Sequence, residues 1–297
     1  MKRFGLSGRR TAPRSLNDRH VAVTGAARGI GFAIAQAASA RGATVSLGDL
    51  DGDLAAASAG SLPNAAGYAL DVSDRQSFER FLDDAERGFG PVDVLVNNAG
   101  VMHIGPFLDE DEVRVRRMVN VNILGPLNGM QLVLPRMLSR GSGGHVINVA
   151  STAGKVGVVG GSVYCATKHA VVGLSESVRA ELGGTRVRIS VVMPGPVNTE
   201  LACGIKGVPL VGVIEPTDVA AAVTDTIGTS RFEVYVPPSG GALLRVLPAI
   251  PRPMRDRLER ILHLHDAFAH IDHEARAVYE ARVADGATAQ REQTAAS

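Results

Sequence analysis

The chain has 297 residues, 45% of them hydrophobic and 21% charged, with 34 glycines and 15 prolines, a balance that supports a buried core and excludes a wholly disordered or fibrous protein. Its 31 basic and 30 acidic residues leave a net charge of +1, so no whole-protein field draws it to nucleic acid. Two cysteines, Cys165 and Cys203, are too few for a disulfide scaffold and read as free thiols of a cytoplasmic protein.

Residues 1–18 read as a basic flexible arm. The first twenty residues carry six Lys or Arg against one Asp, and no apolar stretch precedes Val21, so the pattern is not that of a secretory signal. Strands are predicted over Val21–Thr24, Thr44–Leu47, Ala66–Leu70, Val92–Val96, His145–Val149, Arg188–Val192 and Phe232–Val236, separated by Ala-rich stretches of helical period. Most strands are apolar on both sides, which calls for helices on both faces. The order predicts an α/β fold over residues 19–237, a doubly wound Rossmann-type parallel sheet of about seven strands flanked by helices, with its ligand at the strands' carboxyl ends. The uncharged stretch Met118–Pro135 holds three asparagines and Gln131 and is not read as a membrane span.

Beyond Pro237 the texture changes, and residues 238–284 are expected to form a helical C-terminal extension, followed by a polar tail over 285–297. Gly241–Leu264 mixes Leu243, Leu244, Val246, Leu247 and Ile250 with five arginines. Core packing is the simplest reading of this amphipathic stretch, with peripheral membrane contact or a partner subunit as alternatives.

The first strand runs into TGAARGIG, with Gly25, Gly29 and Gly31, which leads straight into an Ala-rich helix starting near Ile30. Glycines let the backbone approach a pyrophosphate, which the helix N-terminus attracts. The next strand leads to Asp49, about twenty residues on, where a carboxylate accepts hydrogen bonds from the hydroxyls of an adenosine ribose and repels the extra phosphate of NADP. NAD is therefore favoured over NADP. Arg28 argues the other way, as a partner for a 2'-phosphate or the pyrophosphate, and Asp49 has a structural alternative as the cap of the DGDLAAA helix.

Tyr164 and Lys168 stand four residues apart in YCATK, within a predicted helix over Ser162–Leu182, and so share one face. The chain has four lysines and four tyrosines, and chance would give one such spacing about 5% of the time. An ammonium beside a phenol favours the phenolate and lowers a pKa of about 10, which enables proton exchange with an alcohol or carbonyl.

With these motifs, NNAG at 97–100, Ser151 thirteen positions before Tyr164, and PGPVNT at 194–199, the chain resembles the classical short-chain dehydrogenase/reductase family. The resemblance implies a nicotinamide cofactor and a catalytic tetrad of Asn122, Ser151, Tyr164 and Lys168. It places Gly25, Arg28, Gly29, Ile30, Gly31 and Asp49 on the cofactor, Asp71 and Val72 beside the adenine, and Asn98, Ala99 and Gly100 on the adenosine side. Pro194, Gly195, Val197 and Thr199 would border the nicotinamide, with Tyr164 and Lys168 also touching the cofactor. The implied mechanism has Tyr164 exchanging the proton, Ser151 holding the reacting oxygen, Lys168 depressing the tyrosine pKa and Asn122 holding a relay water. The family commonly forms homodimers or homotetramers.

Met102, Ile104, Val156, Val158, Val159, Leu210 and Val211 are expected to give an apolar substrate pocket, suited to a lipid-like or steroid-like alcohol or ketone. His103 is placed where that pocket could begin. Four histidines between His263 and His273 lack a repeated ligand spacing, and no metal is expected. Cys165 should face away from the tyrosine. The alternative to an oxidoreductase is an inert nucleotide-binding sensor or scaffold, which should have lost a tetrad residue.

Overall fold

A computed structural model describes residues 15–204 and 212–262, together with Arg276, Tyr279 and Ala281. The histidine cluster at 263–273, Leu210 and Val211 lie outside these residues. The alternation runs β1 (His20–Thr24), α1 (Gly29–Ser39), β2 (Thr44–Asp49), α2 (Gly52–Ala59), β3 (Ala65–Ala69), α3 (Arg75–Phe89), β4 (Val94–Asn97), α4 (Glu112–Val119), α5 (Gly125–Arg140), β5 (Gly144–Val149), α6 (Ser162–Glu181), β6 (Val187–Pro194), α7 (Pro216–Thr226) and β7 (Glu233–Val236). All seven predicted strands are present, within about two residues at most ends. They form one parallel sheet in the order β3-β2-β1-β4-β5-β6-β7, the Rossmann-type doubly wound arrangement. Winding reverses between β1 and β4, and a crevice opens there at the carboxyl ends.

Strand alternation explains why helices cover both faces. Val21 and Val23 of β1, with Val94 and Val96 of β4, pack against α1 and α7 residues such as Ile34 and Val223. Ala22 and Leu95, pointing the other way, meet Phe78 and Phe81 of α3 and Met130 and Val133 of α5. Both phenylalanines are fully buried and stack edge-on, so truncating either to alanine costs about 3–5 kcal/mol.

Leu16, inside the arm expected from the sequence, is instead buried in the core, and its N–H donates to the Arg41 carbonyl at 2.8 Å. A lone apolar residue among polar ones carries no periodicity, so the sequence gives no sign of this docking. After β7 come α8 (Pro238–Val246) and α9 (Arg252–Ile261). Leu244 and Leu247 are buried against Val171, Val172 and Met193, which is core packing, while Val246, Met254 and Ile261 are exposed. Among the described residues no helix is long and apolar enough to cross a membrane.

Candidate active site

The glycine loop after β1 is shaped by backbone geometry. Gly25 adopts φ +63°, the left-handed region that glycine favours. At Gly31 the helix passes so close to β1 that an added Cβ would stand 2.0 Å from the Gly25 carbonyl oxygen. Asn98 ties the β1 and β4 loops together by donating to the Thr24 and Gly25 carbonyls at 3.0 and 3.1 Å. Helix α1 has no side-chain cap and no acidic residue in its first turn, which leaves a helix N-terminus fit for an anion.

Asp49 ends β2. Its carboxylate accepts from the Ala27 N–H at 3.0 Å and the Asp51 N–H at 3.2 Å. It does not cap α2: Asp51 does, accepting from the Leu54 N–H. Arg28 is already engaged, 3.0 Å from Asp51 and 4.0 Å from Glu200. Asp71 accepts from the backbone and hydroxyl of Ser73, which fixes the turn leading into α3.

Asn122 sits on a π-helical turn, Asn120–Leu124, between α4 and α5. Pro126 has no N–H for the Asn122 carbonyl four residues back, and the ladder widens there: Gly125 donates to Asn120, five residues back. The Asn122 side chain accepts from the Val101 N–H and donates to the Val101 carbonyl and the Thr167 hydroxyl, at 2.9, 2.8 and 3.1 Å. Thr167 was not foreseen, although its place three residues after Tyr164 puts it on the same helical face. Asn122 Oδ1 and Lys168 Nζ both lie within 3.6 Å of where a Cβ on Gly100 would stand, so both side chains face the same glycine.

Helix α6 brings Tyr164 and Lys168 to the carboxyl end of β5. Both are buried, at 6% and 5% exposure. Lys168 Nζ donates to the Val149 carbonyl at 3.1 Å and stands 5.7 Å from the Tyr164 ring centroid. Ser151, immediately after β5, hydrogen-bonds Tyr164, and its hydroxyl lies 3.4 Å from the Pro194 carbonyl. The expected depression of the tyrosine pKa is not found. Burial pushes the phenol well above its ordinary value, and the Ser151 hydrogen bond offsets only part of that rise. Burial also lowers Lys168 to about 8. Removing water disfavours both charged forms, and a distance of this size leaves the ammonium too weak to reverse it.

Tyr164, Ser151 and Lys168 open into a cavity of about 290 Å³. Ile30, Asn98, Gly100, Pro194, Gly195, Val197 and Thr199 also line it, so the loops after β1, β4 and β6 and the candidate catalytic groups share one cleft. Its lining also includes the apolar side chains of Met102, Val156, Val158, Leu201 and Leu244. Three expected pocket residues are elsewhere. Ile104 packs in a buried cluster beside Met118, Val159 is 59% exposed, and His103 lies 3.0 Å from Arg114. Cys165 is buried in that same cluster and is not part of the cleft lining. Among the described residues no group of acidic, histidine or cysteine side chains could hold a metal.

Sequence reasoning missed Arg276 and Tyr279. Arg276 is 1% exposed and donates to the Leu201 carbonyl at 3.0 Å, the Cys203 carbonyl and the Met102 carbonyl. The Tyr279 hydroxyl accepts from the Met102 N–H at 3.0 Å. Nothing in the local pattern distinguishes these two from a solvated helix.

Comparison with known proteins identifies the family of this chain. Residues 19–206 match the family model described as short chain dehydrogenase. The chain is 35% identical over 229 residues to a ketoacyl reductase of Nostoc, covering 75% of this chain and 79% of that protein. It is 37% identical over 186 residues to a sorbitol dehydrogenase of Cereibacter sphaeroides, covering 62% and 73%. A short-chain dehydrogenase/reductase of Burkholderia phymatum, solved in complex with NAD, superposes with a TM-score of 0.72 at 26% identity, over 78% of this chain and 94% of that one. The chain belongs to the short-chain dehydrogenase family of oxidoreductases.

Proposed function

We propose that this protein transfers hydride between a nicotinamide dinucleotide, NAD(H) in preference to NADP(H), and an apolar secondary alcohol or ketone. The observation that carries the reading is one cleft lined by Tyr164, Ser151 and Lys168 together with the glycine loop's Ile30 and the β6 loop's Thr199. The bound nicotinamide supplies the hydride donor or acceptor; every other step belongs to the chain's own residues.

Tyr164, held neutral by burial, is the form that donates a proton to a carbonyl oxygen, and the reverse reaction returns that proton from the alcohol. Ser151 hydrogen-bonds the same oxygen. Lys168 supplies positive charge beneath the phenol, and Asn122 Oδ1 and Lys168 Nζ, which both face Gly100, would hold a relay water between them. Gly25, Gly29 and Gly31 hold the pyrophosphate at α1. Asp71 and Val72 border the adenine, Ala99 and Gly100 the adenosine side, and Pro194, Gly195, Val197 and Thr199 the nicotinamide.

NAD is favoured because carboxylates at Asp49 and Asp51 would repel a 2'-phosphate, and Arg28 is already paired with acidic groups. An apolar substrate is favoured because Met102, Val156, Val158, Leu201 and Leu244 offer a polyol no hydrogen-bond partners from their side chains. Exposed Phe107 and Leu108 fit an assembly into homodimers or homotetramers. The test is NADH-dependent reduction of methyl ketones of increasing chain length and of steroid ketones. Wild type should turn over some of them, and Tyr164→Phe should bind NADH normally yet lose at least about a hundredfold in turnover. Near-normal turnover by that variant would overturn the assignment.

A further inference from the structure

We propose that Arg276 is a positioning residue that completes the substrate end of the cleft, by clamping the loop after β4 to the loop after β6 from a segment far along the chain. The inference rests on the reading of this cleft as the active site. Met102 and Leu201 both line the cavity, and they belong to different loops, one beyond the NNAG turn and one beyond PGPVNT. Arg276 donates to the carbonyls of both and to that of Cys203. Tyr279, whose ring lies 4.9 Å from the guanidinium carbon, receives the Met102 N–H. Met102 is thus held at both its amide and its carbonyl.

The chemistry suits an arginine. A guanidinium is a flat fork of five donors that stays charged when buried, and it can satisfy several carbonyls at fixed mutual angles. A lysine in its place keeps the charge but brings a single donor centre. The guanidinium is also near enough to Tyr164 to favour the phenolate, while the Tyr279 hydroxyl acts in the opposite sense. Arg276 therefore links the width of the substrate end to the electrostatics of the proton-exchanging phenol. It touches no reacting atom in doing so.

The test compares wild type, Arg276→Met and Arg276→Lys in the full-length protein, with two readouts that need no substrate. Amide hydrogen exchange is followed in the peptides carrying Met102 and Leu201–Cys203. Phenolate absorbance against pH is followed as a difference from Tyr164→Phe in each background. Loss of the fork should speed exchange in both peptides by about tenfold in the methionine variant and by less in the lysine variant. The Tyr164 phenolate formed at the most alkaline pH the fold tolerates should be less in Arg276→Met and near wild type in Arg276→Lys. Wild-type exchange in both peptides of a folded Arg276→Met protein would overturn the clamp. If the methionine variant does not fold, the lysine variant decides: faster exchange supports the clamp and unchanged exchange overturns it. An active Tyr164→Phe enzyme would remove the catalytic reading but would leave the exchange result, and so the clamp, standing.

Discussion

Lys168 Nζ donates to the Val149 carbonyl, the last residue of β5, at 3.1 Å. That bond fixes an ammonium under the Tyr164 ring at the edge of the cleft, and burial makes the arrangement costly. Lys168 titrates at about 8 in the fold against 10.5 as a free side chain. Between those values the unfolded chain binds the extra proton, so stability rises with pH; below about 8 the cost of burying the charge is present in full.

Lys168→Met should therefore separate function from stability. We expect turnover to fall by at least about a hundredfold, while the unfolding free energy at neutral pH rises by about 1–2 kcal/mol. Thermal unfolding of both proteins checks this. The gap should narrow above pH 8, and a variant less stable than wild type at neutral pH would count against it.

Burial, aided by Arg188, lowers His145 to about 4, and its ring meets the Ser190 hydroxyl and the Gly228 N–H. The unfolded histidine takes up a proton near pH 6.5 and the folded one does not, so stability should fall as pH drops from about 6.5 to 4. In His145→Asn, denaturant unfolding across that range should show a shallower pH dependence. An unchanged slope would assign the acid sensitivity elsewhere.

Gly31→Ala places a Cβ 2.0 Å from the Gly25 carbonyl and 2.6 Å from Asn98 Nδ2. Helix α1 must move away from β1. We predict a stability loss of about 1–3 kcal/mol and NADH affinity reduced by more than tenfold, read by fluorescence titration. Full affinity would mean that close helix approach is not what the cofactor loop requires.

Much of this was legible in the sequence because it follows from short-range pattern. Most strands announce themselves as short apolar, valine-rich runs between helical stretches, and Tyr164 and Lys168 share a face through helical spacing alone. The glycine loop is legible because its position after a strand fixes what it can do. What stayed hidden depends on distant contacts. The π turn that presents Asn122 arises where Pro126 leaves a carbonyl without its donor, a consequence visible only once the helix is known to continue through it. Tyr164 looked like a phenol acidified by a lysine, but the burial that raises its pKa is tertiary and has no sequence signature. Arg276 reaches Met102 across 174 positions, and no local periodicity marks it.

The central claim is that the crevice between β1 and β4 binds a nicotinamide dinucleotide, with Asp49 choosing between its two forms. The most direct measurement is calorimetric titration of NADH and NADPH onto wild type and Asp49→Asn, a variant that keeps an oxygen to accept the Ala27 N–H. Wild type should bind NADH at least about tenfold more tightly than NADPH, and Asp49→Asn should lose that preference by gaining NADPH affinity. Binding of neither dinucleotide to the wild-type protein would contradict the account.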